Sequence, residues 1–349
     1  MGTTSRTDDL LGPVQLVNLD TDSDTDLNTG PGPMPAGGRP SIRVGVCTGP
    51  VDPARCEPLD VTLGRTGVDA RVEWTTGSAS DPGPPRPIVA VADPWAEAEA
   101  LRRCAADNPS AAAVLAAVLR ATETLSVEHA LEVESLAYST LLGGPEFNRW
   151  LRARPPGTPP ADVAEAVSLS RVDRAGADEL RITLNRPERR NAYGRQMRDE
   201  LVAALRLPDH DPTIARILLD GAGPAFCAGG DLAEFGTAPD PVTAHLIRTR
   251  AGAALPLHRL AGRIEVRLHG WCVGAGVELP AFAGRVVAAP DARFRLPELA
   301  MGLIPGAGGT VSLPRRIGRW RTFYLALTGR TVDAATALSW GLVDEVVAG

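Results

Sequence analysis

From residue 179 onward the chain repeats one local pattern: a short strand, a turn of mostly small residues, and then a helix start. RIEVRL (263–268) alternates and runs into HGWCVGAGVELP (269–280), while the apolar ARILLD (215–220) runs into GAGPAFCAGGDL (221–232). Alternating and apolar runs of this length read as strands, and turns of Gly and Ala let two stretches of backbone approach closely. ELRITL (179–184) and GRVVAA (284–289) add further strands, and GRQMRDELVAALRL (194–207) reads as an amphipathic helix. A chain patterned this way is restricted to an α/β layout.

The first half is organised differently. Residues 1–40, with TDSDTD and GPGPMPAGGRP, are expected to form a disordered leader, because few large apolar groups offset the chain entropy. Residues 41–92 hold SIRVGV and LDVTL, interrupted by GSASDPGPPRP, and read as a small irregular β region. In 93–152, Asp93-Pro94 and Asn108-Pro109 each look like an N-cap followed by Pro at the first helical position, which predicts three or four helices. Residues 153–170, opening on the prolines of RARPPGTPPADV, read as a hinge, and 171–349 as the α/β core.

All 36 basic side chains counted as Lys or Arg are arginines, so an anion must be held by Arg, by His or by backbone NH. A net charge of -6 without a basic stripe argues against nucleic acid as a partner. The N-terminus is polar and no apolar run is long enough to cross a membrane, so a cytoplasmic protein without membrane attachment is expected. The 5 cysteines are odd in number and lack a CxxC pair, which indicates neither a disulfide framework nor a metal site.

LNRPERRNAY (184–193), GAGPAFCAGGDL, HGWCVGAGVELP and FRLPELAMGLIPGAGGT (294–310), followed by GLVDEVV (341–347), resemble the enoyl-CoA hydratase/isomerase, or crotonase, superfamily. The likeness runs from roughly 171 to 347. It implies a crotonase-like spiral of ββα units, here with an N-terminal helical segment, and a homo-oligomer, trimer or hexamer. The substrate it implies is an acyl-CoA or a carrier-bound thioester, with coenzyme A as part of the substrate and no separate cofactor or metal.

The resemblance also assigns roles. The NH groups of Gly230 and Ala275 match the oxyanion donors, although the family usually has a third glycine where Ala275 stands. Glu278 and Glu298 match the glutamates that face one water across the substrate double bond, and Gly306 matches a glycine whose NH helps place it. Arg189 and Arg190 match charged residues of the CoA loop, with the Ala192 and Ala228 backbones near the base. Asp231 is expected to brace the turn after Gly230, and His269, Cys227 and Cys272 to be structural.

Developing charge on a thioester oxygen needs donors fixed in advance, and small residues at a helix start supply backbone NH for this. A carboxylate pair can then divide water activation from protonation of the alpha carbon. The expected activity is hydration of a 2-enoyl thioester or the reverse dehydration. Double-bond isomerisation, cofactor-free oxygenation of an aryl-acetyl-CoA and a non-catalytic assembly role are the alternatives. Family members continue past the GLVDEVV-like segment into closing helices, and residues 107–151 resemble these, which suggests circular permutation.

Overall fold

The computed structural model describes residues 14–21, 42–66, 87–155, 157–173 and 178–347. The N-terminal part corrects two expectations. Strands β1 (Gln15–Asn18), β2 (Arg43–Cys47), β3 (Val61–Arg65) and β4 (Ile88–Val91) pair in that order, all parallel. The supposed leader therefore supplies an edge strand, and its Val17 and Leu19 are buried against Val51, Leu59 and Ile88. Averaging over a segment dominated by Asp, Thr, Gly and Pro concealed the short apolar run VQLVNL. The region expected to be irregular is a regular sheet: β2 is buried throughout, as parallel strands covered on both faces are. Residues 1–13 and 22–41, and most of the GSASDPGPPRP loop, lie outside the described residues.

Four helices follow: α1 (Pro94–Asp107), α2 (Pro109–Ala121), α3 (Val127–Leu142) and α4 (Pro145–Arg152). Asp93 caps α1 as its position predicts, accepting from the NH groups of Trp95 and Ala96, both at 3.1 Å. Asn108 does not cap α2. Its Oδ1 instead accepts from Arg149, while the carboxylate of Glu146 takes the NH groups of Ser110 at 2.7 Å and Ala111 at 2.9 Å. Orphan donors at a helix start need an acceptor, and here α4 supplies it.

The 153–170 segment is less of a hinge than its prolines suggest. Gln196 bonds both the NH and the carbonyl of Val163, Arg195 pairs with Asp162, and β5 (Val167–Val172) already begins inside it. β5 pairs antiparallel with β6 (Asp178–Leu184). Next to β6 come β7 (Ile214–Gly221), β8 (Ile264–Leu268), β10 (Arg285–Ala288) and β13 (Glu345–Val346), all parallel. A second, small sheet joins β9 (Trp271–Val273), β11 (Arg293–Arg295) and β12 (Val332–Asp333). The α/β class and the expected strands of the second half are all present.

Between the strands lie α5 (Arg195–Leu205), α6 (Pro241–Ala251), the single turn α7 (Ala275–Glu278) and the long α8 (Gly309–Thr328), which breaks at Gly318. α3 packs along α6, α2 against α8, and α4 against the 298–301 turn. One hydrophobic core runs from Ile42 through Leu115, Ala130 and Phe147 to Val343, so the N-terminal helices are built into the core. Polar ties reinforce this: Arg319 donates to the carbonyl of Leu59 at 2.8 Å, and Tyr324 donates its hydroxyl to Glu97 at 2.8 Å.

Candidate active site

The two small-residue turns lie side by side. Cys227 donates its NH to the Trp271 carbonyl at 3.2 Å, and Val273 donates back to the Cys227 carbonyl at 2.9 Å. Side chains are excluded by this approach: a Cβ on Gly276 would lie 2.4 Å from the Cys227 carbonyl oxygen. Gly274 takes a positive φ of 49°, which begins α7 one residue later, so that the Ala275 NH starts the helix. On the other turn the Asp231 side chain accepts from the Ala233 NH at 3.0 Å and fixes the chain just after Gly230.

Gly230 and Ala275 both line a cavity of about 210 Å3. Among the described residues, the NH groups of Gly230, Ala275 and Gly306 donate to no protein acceptor. Ala275 is buried and lines the cavity, so its methyl is accommodated in the fold at this position.

Glu278 and Glu298 line the same cavity and are both buried. Glu278 Oε2 accepts the NH of Ala307 at 2.7 Å and of Gly309 at 2.9 Å. Glu298 Oε1 lies where a Cβ on Gly274 would be 2.5 Å away, and its buried Oε2 has no hydrogen-bond partner. Burial raises the proton affinity of both acids, and for Glu278 the neighbouring charges of Glu298 and Glu134 raise it further. Glu298 is pushed up to about 7. With both acids buried in one cavity, the charge of Glu298 disfavours ionisation of Glu278.

Glu134, Tyr138 and Arg248 are among the cavity residues not singled out from the sequence. Glu134 is buried on α3 and accepts from the Gly308 and Thr310 NH groups, each at 2.8 Å, and from the Thr310 hydroxyl at 2.7 Å. Burial pushes it, too, up to about 7. The signal was legible: Glu134 stands four residues after Ala130 and seven before Leu141, on the apolar stripe, where an ionisable group needs a partner. Tyr138 lies one turn further on, and its ring packs so tightly on Gly306 that a Cβ there would be 2.3 Å from the ring.

The residues expected to meet CoA separate. Arg189 forms a two-pronged ion pair with Asp231, at 2.7 and 3.0 Å, so it first braces the turn before α6. Arg190 is exposed and has a left-handed φ of 51°. The Ala228 NH is held by the Arg190 carbonyl at 2.9 Å, and the Ala192 NH by that of Arg189 at 3.2 Å, which joins the two loops. His269 bonds the Gly223 carbonyl at 2.9 Å. Cys227 and Cys272 are buried, and burial pushes the Cys227 thiol up to about 12, far from the thiolate a nucleophile needs.

The sequence comparisons bear on the same half of the chain. The family model for enoyl-CoA hydratase/isomerase matches residues 177–349. The protein named "Probable enoyl-CoA hydratase echA8" of Mycobacterium bovis is 38% identical over 186 residues, covering 52% of this chain and 69% of its own. Mevalonyl-coenzyme A hydratase SIDH of Beauveria bassiana is 37% identical over 176 residues, 48% of this chain and 63% of its own. 1,2-Epoxyphenylacetyl-CoA isomerase of Escherichia coli is 38% identical over 173 residues, 48% of this chain and 66% of its own. The helices α1–α4 lie outside the family match.

Proposed function

The chain belongs to the enoyl-CoA hydratase/isomerase family, and from that premise we propose that its cavity adds water to a 2-enoyl thioester, or removes it from the hydrated product. The observation that carries this reading is the meeting of Glu278 and Glu298, both buried, with the free NH groups of Gly230 and Ala275 in one cavity. Isomerisation requires only one carboxylate to carry a proton between carbons; a second, equally buried acid favours hydration.

In the proposed step the thioester oxygen rests between the Gly230 and Ala275 NH groups, which meet the negative charge as it develops. Burial and the neighbouring acids raise the proton affinity of Glu278, and the two backbone NH groups on its Oε2 oppose this; in the proposed step it enters as the anion. It takes the proton of water, whose oxygen bonds to the beta carbon. Glu298, neutral beforehand and with Oε2 unpartnered, gives its proton to the alpha carbon. The bond count balances: the C=C π bond and two O–H bonds break, while C–O, C–H and one new carboxyl O–H form. The Gly306 NH helps hold the water.

For the CoA end, Arg190 is the exposed charge proposed to meet phosphate, with the Ala192 and Ala228 loop beside the base, while Arg189 holds the turn through Asp231. Loss of enoyl absorbance with crotonyl-CoA and longer 2-enoyl-CoA thioesters tests the proposal. Migration of the double bond without uptake of water would instead give the isomerase.

A further inference from the structure

Resting on the hydratase reading of the same cavity, we propose that Arg248 is the receptor for an anionic end of the acyl chain, so that the preferred substrates are monothioesters of unsaturated dicarboxylic acids. Arg248, on α6, stands where the catalytic cavity meets two neighbours of about 440 and 230 Å3, since it lines all three. Its guanidinium is held in place. Nε donates to Ser135 Oγ at 3.1 Å, and Nη2 donates to the Ser135 carbonyl at 3.1 Å and to Ser139 Oγ. The group lies 4.5 Å over the ring of Tyr138, the ring that also packs on Gly306.

What this cation lacks is an anion. Among the described residues no carboxylate is within ion-pair distance of Arg248, and its Nη1 donates to no protein acceptor. The other two arginines of the catalytic cavity are each matched: Arg195 with Asp162 at 2.6 Å and Arg198 with Asp199 at 2.7 Å. Arginine stays charged, and a guanidinium drawn out of water without a counter-charge is unfavourable. Burial lowers the proton affinity of Arg248, while Tyr138 and the charge of Glu134 oppose this. A carboxylate on the substrate would accept from the open Nη1 edge and supply the missing charge. An acyl chain ending in methyl would cover the same edge and give nothing back, so the site would discriminate against it.

Matched pairs that differ only at the chain end test this. Binding is read by calorimetry with the unreactive hexanoyl-CoA and hexanedioyl-CoA, and turnover with hex-2-enoyl-CoA and hex-2-enedioyl-CoA, alongside the pentanoyl and octanoyl pairs. The carboxylate-ended member is expected to bind and react better by roughly 10- to 100-fold at the length that reaches Arg248, the range for a charge-assisted hydrogen bond. The preference should shrink as salt rises, collapse in Arg248→Gln and persist in part in Arg248→Lys. Equal or better use of the methyl-ended member at every length by the unaltered protein overturns the proposal, and this comparison stands even if Arg248→Gln fails to fold. An unchanged preference in a folded Arg248→Gln also overturns it and leaves Arg248 as a tie between α3 and α6. If the protein hydrates neither enoyl thioester yet binds hexanedioyl-CoA the more tightly, the anion site holds and the hydratase reading fails.

Discussion

The carboxylate of Glu134 accepts the NH of Gly308 at 2.8 Å across 174 positions of sequence. The next donor along, Gly309, goes to Glu278, and the one after it, Thr310, returns to Glu134. With Ala307 also on Glu278, successive NH groups at the start of α8 alternate between two buried glutamates. A helix start presents orphan donors and a positive dipole end, and both favour carboxylates. Glu278 and the N-terminal helix α3 are thereby positioned by the same turn.

Glu134→Ala should therefore harm more than packing. It leaves two backbone NH groups and a hydroxyl buried without an acceptor, at about 1–3 kcal/mol for each group. Denaturant unfolding should show a net loss of about 2–4 kcal/mol, less than the sum of the three, because removing the buried carboxylate also relieves its desolvation cost. Hydration should slow as well, since the 307–309 turn holds Glu278. Unaltered stability would mean the helix start relaxes onto water.

Glu298→Gln and Glu278→Gln should each cut hydration by at least about 100-fold while thioester binding persists, because they remove proton transfer at the reacting carbons. The pH dependence has a definite sign. The folded-state proton affinity of Glu298, about 7 against an ordinary 4.5, is raised. Its favourable contribution is then complete below about pH 4.5 and lost as pH climbs through 7. Turnover that needs its proton should fall above the same pH. Glu298→Gln removes the buried charge, so at pH 8 it should unfold later than the parent, by at most about 3 kcal/mol, with no gain at pH 4. A stability difference independent of pH would show that Glu298 is not the group titrating.

Gly230→Pro removes one oxyanion donor and should cost about 100- to 1,000-fold in turnover. Any side chain here also crowds Phe235, whose ring would be 2.7 Å from a Cβ. Gly230→Ala brings the same crowding but keeps the NH, so the difference between the two variants isolates the donor. Equal activity in both would remove Gly230 from the oxyanion site.

Deleting residues 1–21 should lower the melting temperature by several degrees, about the effect of 1 kcal/mol or more in a chain of this size. The expectation from composition is no effect. The structure reverses it, because Val17 and Leu19 are buried and β1 covers the edge of β2. An unchanged melting temperature would mean that the strand adds nothing to the sheet.

What could be read from the sequence was what lives in short stretches. Strands such as RIEVRL and ARILLD follow from periodicity, and the turns around Gly230 and Ala275 from their lack of side chains. What could not be read depends on distant pairing. Glu146 rather than Asn108 satisfies the start of α2, and Arg189 pairs with Asp231, 42 residues away. Local capping rules favour a neighbour in sequence, whereas the folded chain uses whichever carboxylate packing brings closer. β1 was missed for a different reason: four residues of strand carry little weight in a forty-residue average.

The second half of the chain should depend on the first for its folding. α3 supplies Glu134 to the turn that holds Glu278, and Tyr138 to the face of Gly306. α8 is covered by α2 and by β3 and β4, and Arg319 within it donates to the Leu59 carbonyl. A fragment of residues 165–349 would expose those apolar faces and leave the Gly308 and Thr310 donors open, so it should be insoluble or unfolded. Circular permutation of closing helices makes a stronger claim: residues 90–155 carry that role wherever they are attached. Joined to the C-terminus of the fragment, or added to it in trans, they should restore solubility and hydration, because a buried stripe packs equally well from either chain end. The sheet of β1–β4 would be missing from this reconstruction, so its stability should fall short of the full chain. A soluble, active 165–349 fragment would refute the dependence, and failure of every reattachment would refute the permutation while leaving the helices as essential packing.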